Sequence, residues 1–92
     1  MAKKRYHAIV TGLVQNFLFR IFAKRTANAW GLKGYSKNLD NGRVEIVLEG
    51  EESKIKKILD YVKSGSGDTK KIKIDLKEEK LKGEFKNFEI YT

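Results

Sequence analysis

Residues 32–49 read LKGYSKNLDNGRVEIVLE and predict a β-hairpin. Two strand-like segments, 32–38 and 43–49, flank Asp40-Asn41-Gly42, a run of residues that favours a tight turn. The second segment alternates apolar and charged residues, as in a strand with one face buried and the other turned outward. The inward positions are Val44, Ile46 and Leu48, and the outward or terminal ones are Arg43, Glu45 and Glu49.

The residues before the hairpin predict one strand and one helix. Tyr6 to Thr11 is rich in β-branched and aromatic residues and is closed by Gly12, which indicates a strand over 6–11. From Ile21 to Trp30 apolar residues recur at steps of three and four, and Gly31 supplies a stop. We therefore expect an amphipathic helix over 21–30, joined to the strand by a loop that begins at Gly12.

The residues after the hairpin predict a second helix and two further strands. Beyond Gly50, lysines occupy one helical face and the other carries Ile55, Ile58, Leu59 and Val62. Ser64 to Gly67 ends this pattern in a loop. Alternation of apolar and charged residues predicts strands over 70–78 and 85–91.

The order of these elements, βαββαβ with an added terminal strand, indicates an α+β fold. Two βαβ-like halves with right-handed crossovers form a ferredoxin-like sandwich, in which two helices pack on one face of a four- to five-stranded antiparallel sheet. The 92 residues have room for a single domain, 1–92, and none for a second.

Composition narrows the chemistry that this domain can perform. There is no cysteine and one histidine, which excludes a disulfide, a thiolate nucleophile and a zinc–thiolate site and argues against clustered metal ligands. We expect no metal and no cofactor. Apolar runs are too short for a membrane span and no signal core follows the basic start, so we expect a cytoplasmic monomer without a membrane partner. The net charge of +8 favours anionic partners without choosing among them.

The segment from Gly12 to Arg20 predicts a phosphate site. A loop that leads into a helix offers unpaired backbone N–H groups and the positive end of the helix dipole. Arg20 adds a planar, permanently charged guanidinium to the same place. An isolated arginine at this position would more often be a solvent-facing or ion-paired side chain, so the flanking residues matter.

Those flanking residues resemble the two signatures of the acylphosphatase family. The matching positions are Gly12-x-Val14-Gln15-x-x-x-Phe19-Arg20, then Gly34-Tyr35-x-Lys37-Asn38-x-x-x-Gly42-x-Val44, with Trp30-Gly31-Leu32, Gly50 and Phe88-x-Ile90 in the family's order and spacing. The resemblance covers nearly the whole chain. It implies the ferredoxin-like fold and hydrolysis of a small acyl phosphate to a carboxylate and inorganic phosphate, without metal or cofactor.

The resemblance also implies a role for each site residue. The phosphate would be held by Arg20 and by the backbone N–H groups of a five-residue run, Gln15, Asn16, Phe17, Leu18 and Phe19. Asn38 would hold the attacking water. Such a site needs no strong base, because a carboxylate leaves readily and the loose, highly charged phosphoryl transition state is stabilised by positioning and charge.

Two departures from the family pattern leave alternatives open. The family loop normally reads Gln-Gly-Val, whereas this chain has Gln15-Asn16-Phe17, and Ser36 stands where a small apolar residue is usual. The first alternative is therefore an anion-binding relative that retains the loop and has lost useful turnover. The second is an RNA-binding ferredoxin-like domain, which the absence of Phe or Tyr from 43–49 argues against.

Overall fold

The computed structural model describes residues 3–11, 24–39, 42–64 and 73–91. Within these ranges it has five strands and two helical segments. They are β1 (Lys3–Thr11), α1 (24–29), β2 (Lys33–Asn38), β3 (Val44–Glu51), α2 (Glu52–Ser64), β4 (Lys73–Glu79) and β5 (Phe88–Tyr91). No helix of the described ranges is long and apolar enough to cross a membrane.

The five strands form one sheet in the order β4-β1-β3-β2-β5. The predicted hairpin is confirmed, because β2 and β3 pair antiparallel with Gly34 opposite Leu48 and Asn38 opposite Val44. Turn residues 40 and 41 lie outside the described ranges, as do the predicted loop 65–67, the first residues of the predicted 70–78 strand, and residues 21–23 of the first helix. The ferredoxin-like prediction is confirmed in the order of its strands and helices along the chain.

One part of the fold prediction is wrong, because the sheet is mixed rather than wholly antiparallel. β5 pairs with β2 in parallel, with Gly34 opposite Phe88 and Lys37 opposite Tyr91. The cause is the path of residues 80–87, here called the crossing segment. It starts beside Arg5 and finishes beside Gly34, both at the same end of the sheet, so β5 must run opposite to β4. β4 is antiparallel to β1, and β1 and β2 run the same way, so β5 is parallel to β2.

Strand boundaries also differ from the prediction, and within the described residues the largest differences are at the starts of β1 and β5. β1 begins at Lys3 instead of Tyr6, because Lys3 and Lys4 pair with Glu51 and Gly50 at the end of β3. β5 begins at Phe88 instead of Phe85, because the residues before it belong to the crossing segment. β1 therefore includes polar residues at its start because they pair with β3. Alternation within one segment does not reveal such a pairing partner.

The core lies between the sheet and the helices. Ile55, Ile58 and Leu59 are buried on one face of α2, as predicted, and Ala27 of α1 is fully buried. Against them the sheet packs a single apolar face composed of Tyr6, Ala8, Val10, Val44, Ile46, Leu48 and Phe88, with Leu32 beside them. Trp30 is partly buried against this cluster. α1 ends at Ala29, and Gly31 just beyond it has a φ of 73°, which provides the left-handed stop that the sequence predicts.

The opposite face of the sheet is not simply solvated. Val47 is 1% exposed there, and Glu49, predicted to point outward, points away from the helices but is only 4% exposed. Backbone N–H groups of the crossing segment, from Lys82 and Gly83, donate to Glu49 Oε2 at 3.0 and 3.3 Å. This segment therefore covers part of the face that alternation alone assigns to water.

Candidate active site

The predicted phosphate loop lies outside the described residues. Its six residues all fall within 12–23, so their roles stay predictions. They are Gln15, Asn16, Phe17, Leu18, Phe19 and Arg20. The structure describes the residues on either side of this loop, which are the end of β1 and the start of the described part of α1. It also describes Asn38.

Asn38 lies at the end of the sheet from which the loop departs. One row across β1, β3 and β2 contains Val10, Val44 and Asn38. Asn38 is therefore two strand spacings, about 10 Å, from Val10. β1 ends one residue later, at Thr11, and the chain then enters 12–23. The topology thus brings the predicted loop and Asn38 to the same end of the sheet, which we call the Asn38 end.

The side-chain oxygen of Asn38 is the unusual atom at this end. Oδ1 is buried and has no hydrogen-bond partner among the described residues. Two fully buried valines, Val10 and Val44, occupy the same row of the sheet. A buried acceptor that is left without any partner costs about 1–3 kcal/mol. An amide oxygen in this position can accept a hydrogen bond from a water molecule and so orient its lone pairs.

The backbone of Asn38 is fixed by the hairpin turn that follows it. Leu39 N donates to Arg43 O at 2.8 Å, and Gly42 N donates to Leu39 O at 3.2 Å. Gly42 has a φ of 81°, a conformation that glycine adopts without strain. The sequence predicted this turn, and its closure holds the last residue of β2 in register with Val44.

The sequence analysis missed a buried charge cluster at the opposite end of the sheet. Arg5 donates from Nε to Glu79 Oε1 at 3.1 Å, from Nη1 to Glu84 Oε1 at 2.6 Å, and from Nη1 to Glu49 Oε2 at 3.3 Å. Burial lowers the pKa of Arg5, but the hydrogen bonds that Arg5 donates to these three carboxylates outweigh this effect, and the pKa lies above its ordinary value. The cluster anchors the crossing segment and lies far from Asn38.

His7, to which the sequence analysis assigned no function, is a satisfied polar residue. Its Nε2–H donates to Glu45 Oε2 at 2.9 Å, and the Tyr35 hydroxyl donates to Glu45 Oε1 at 2.8 Å. The bond from His7 is the main cause of a lowered Glu45 pKa. Burial, followed by the bond to Glu45, raises the pKa of Tyr35 to about 12. A sequence pattern within one segment could not predict these hydrogen bonds, because the three residues lie on three different strands.

The described residues hold no cluster of three or more histidine, aspartate or glutamate side chains that could bind a metal ion.

Comparisons with known proteins match this chain over nearly its whole length. A model of the acylphosphatase family matches residues 6–90. An acylphosphatase from Syntrophobacter fumaroxidans is 34% identical over 90 residues, covering 98% of this chain and 93% of the relative. One from Chlorobaculum tepidum is 34% identical over 92 residues, with both chains covered completely.

A solved acylphosphatase structure is also similar to this chain. The crystal structure of acylphosphatase from Bacillus subtilis superposes with a TM-score of 0.82 at 35% identity, covering 99% of this chain and 100% of that one. Because the family model and these relatives span the chain almost from end to end, the chain belongs to the acylphosphatase family.

Proposed function

We propose that the hydrolysis of acyl phosphates, the activity that family membership gives this chain, takes place between residues 15–20 and Asn38. The phosphate group of the substrate is held by the backbone N–H groups of Gln15 to Phe19 and by the Arg20 guanidinium. Asn38 Oδ1 accepts a hydrogen bond from the water that attacks phosphorus. The observation that supports this assignment is the buried Asn38 Oδ1, which has no hydrogen-bond partner in the described part of the chain and lies at the end of the sheet where β1 ends.

The reaction needs little from the protein beyond placement and charge. Water oxygen forms a bond to phosphorus while the bond from phosphorus to the acyl oxygen breaks, and the electron pair leaves on the carboxylate. The proton lost by water passes to the phosphate product or to solvent. Arg20 and the loop N–H groups stabilise charge on the phosphoryl oxygens, and Asn38 supplies the orientation of the nucleophile.

The test is hydrolysis of an aryl acyl phosphate in metal-free buffer by the unmodified protein, Arg20→Ala, Arg20→Lys and Asn38→Ala. We expect losses of about 100- to 1000-fold for both arginine variants, because an ammonium group cannot make the two parallel bonds of a guanidinium. Arg25→Ala and Asn87→Ala are matched controls, since both side chains are exposed and lie outside the proposed site. Full activity in Arg20→Ala or Asn38→Ala would contradict the assignment.

The same samples separate the enzyme from a binding-only relative. If the unmodified protein binds inorganic phosphate and does not hydrolyse the acyl phosphate, Asn16 and Phe17 mark a loop that has kept binding and lost turnover. If turnover is present and is lost with Arg20 or Asn38, the altered loop is compatible with catalysis.

We further propose that residues 1–92 act as one domain, as a monomer, in the cytoplasm. The family match over 6–90 supports the single domain. Edge strand β4 supports the monomer, because Lys73, Asp75 and Lys77 lie exposed along it and charged edges disfavour pairing with a second sheet. Sedimentation of the purified protein tests the monomer, and assay of cell fractions for the activity tests the compartment.

A further inference from the structure

A cavity lies at the end of the sheet away from Asn38. It has a volume of about 390 Å³, which is within the range of small-molecule sites. Its walls come from the end of α1, the start of β2, the junction of β3 with α2, and the crossing segment. The lining includes Trp30, Leu81, Lys3, Lys33, Lys54 and Glu51, and we call it the Trp30 pocket.

Apolar surface is left uncovered in this pocket. Leu81 is 44% exposed, although it is a large aliphatic residue, and Trp30 is buried against the core only in part. Gly31, next to Trp30, has open space where a side chain would stand, with no atom within 4 Å of a Cβ built there. The indole ring, the leucine and the bare backbone therefore form a surface that suits a flat apolar group.

The charges around this surface are mainly positive. Lys54 pairs with Glu51 at 3.5 Å, so these two largely cancel. Glu49 also borders the pocket, but its carboxylate is already bonded to Arg5, Lys82 N and Gly83 N. Lys3 and Lys33 have no carboxylate within ion-pair distance among the described residues. An anionic group entering the pocket would therefore meet two ammonium groups whose charge is not already neutralised.

We propose that the Trp30 pocket binds a small amphipathic organic anion, with its apolar ring or chain against Trp30 and Leu81 and its carboxylate or phosphate at Lys3 and Lys33. The pocket lies at the end of β1 that begins with Lys3, whereas the chain continues into residues 12–20 from the other end of the strand, after Thr11. Binding would also brace the crossing segment, which contributes Leu81 to the wall.

Trp30 is the only tryptophan in the chain, so its fluorescence reports on this pocket directly. The probe is phenyl phosphate, compared with benzyl alcohol, which has the ring without the charge, and with inorganic phosphate, which has the charge without the ring. We expect a saturable change in Trp30 emission with phenyl phosphate and no saturation with the other two over the same concentrations. A response that inorganic phosphate reproduces would overturn the proposal.

Variants distinguish this pocket from the proposed active site. The double variant Lys3→Gln/Lys33→Gln should weaken phenyl phosphate binding roughly 3- to 10-fold, as expected for two solvent-exposed ion pairs. The charge-matched control Lys80→Gln/Lys86→Gln should not change it, and Leu81→Ala should weaken it through lost apolar contact.

Arg20→Ala completes the comparison. Binding at the Trp30 pocket should persist in this variant even though the phosphate loop is disabled. If Arg20→Ala abolishes the fluorescence change, or if the lysine and leucine variants leave it unaltered, the pocket is not the site. Because the readout is binding and not turnover, failure of the proposed catalytic roles would leave this result interpretable.

Discussion

The side-chain amide of Asn28 makes two hydrogen bonds to the backbone of Phe88. Phe88 N donates to Asn28 Oδ1 at 2.8 Å, and Asn28 Nδ2 donates to Phe88 O at 3.2 Å. The amide thus takes the place of a neighbouring strand along the outer edge of β5 and ties α1 to that edge. Covering an edge in this way satisfies backbone groups that would otherwise be open to another sheet.

Asn28→Ala should lower the free energy of unfolding by about 1–3 kcal/mol, because it removes both bonds and leaves the partly buried backbone of Phe88 without partners. Urea unfolding followed by circular dichroism measures the change. Asn87→Ala is the matched control and should stay within about 0.5 kcal/mol, since the Asn87 side chain is exposed. Equal stability of the two variants would show that solvent replaces the amide at no cost.

Asn38→Ala should behave in the opposite way from Asn28→Ala. Its Oδ1 has no partner among the described residues, so removing it should leave the free energy of unfolding unchanged or raise it. Turnover of an acyl phosphate should fall about 100-fold or more. A variant that loses stability and activity together would indicate a structural role for Asn38 in place of water placement.

Gly34→Ala should prevent stable folding, with a cost of roughly 3 kcal/mol or more. A Cβ at Gly34 would lie 1.8 Å from the backbone oxygen of Val47, and the φ of 140° is itself unfavourable for alanine. Gly42→Ala is the matched comparison, since its φ is 81° but its Cβ would meet no atom within 4 Å. We expect it to cost about 1 kcal/mol. Thermal unfolding of both variants decides whether close approach or backbone conformation matters more.

Stability should depend on pH through Glu45. The hydrogen bond from His7, assisted by the one from Tyr35, lowers the pKa of Glu45 below its ordinary 4.5 in the folded protein. The unfolded chain then binds the proton first, so this contribution is present above about pH 4.5 and is lost as the pH falls through the lower folded value. Urea unfolding over this acid range should show a smaller decline in Glu45→Gln than in the unmodified protein. An identical decline would mean that Glu45 does not contribute.

The hairpin and the main core could be predicted from the sequence because their signals are local. Val44, Ile46 and Leu48 lie within one segment, and the two strands are joined by a short turn, so alternation and turn residues determine the pairing. The helical face of Ile55, Ile58 and Leu59 is predictable for the same reason. Asn38 was found through the motif around it, and the structure adds that its side-chain oxygen is buried with no partner among the residues that the structure describes.

The parallel edge strand and the burial of Glu49 could not be predicted in this way. Both depend on where the crossing segment travels after β4, and that path is fixed by contacts with Arg5 at the other end of the chain. Alternation tells which face of a strand a residue occupies, but it does not tell whether a distant segment later covers that face. The aromatic contacts of Tyr35 with Phe85 and Tyr91 are hidden from the sequence for the same reason.

The bonds of Arg5 to Glu79 and Glu84 join residues 74 and 79 positions apart. Closing a loop of this length costs conformational entropy, which is offset only once the contacts form. We therefore expect the crossing segment and β5 to become ordered after β1. Chain ends commonly fray independently of the domain that they flank. Here Arg5 of β1 holds Glu79 of β4 and Glu84 of the crossing segment, so a segment late in the sequence is anchored by the first strand of the sheet.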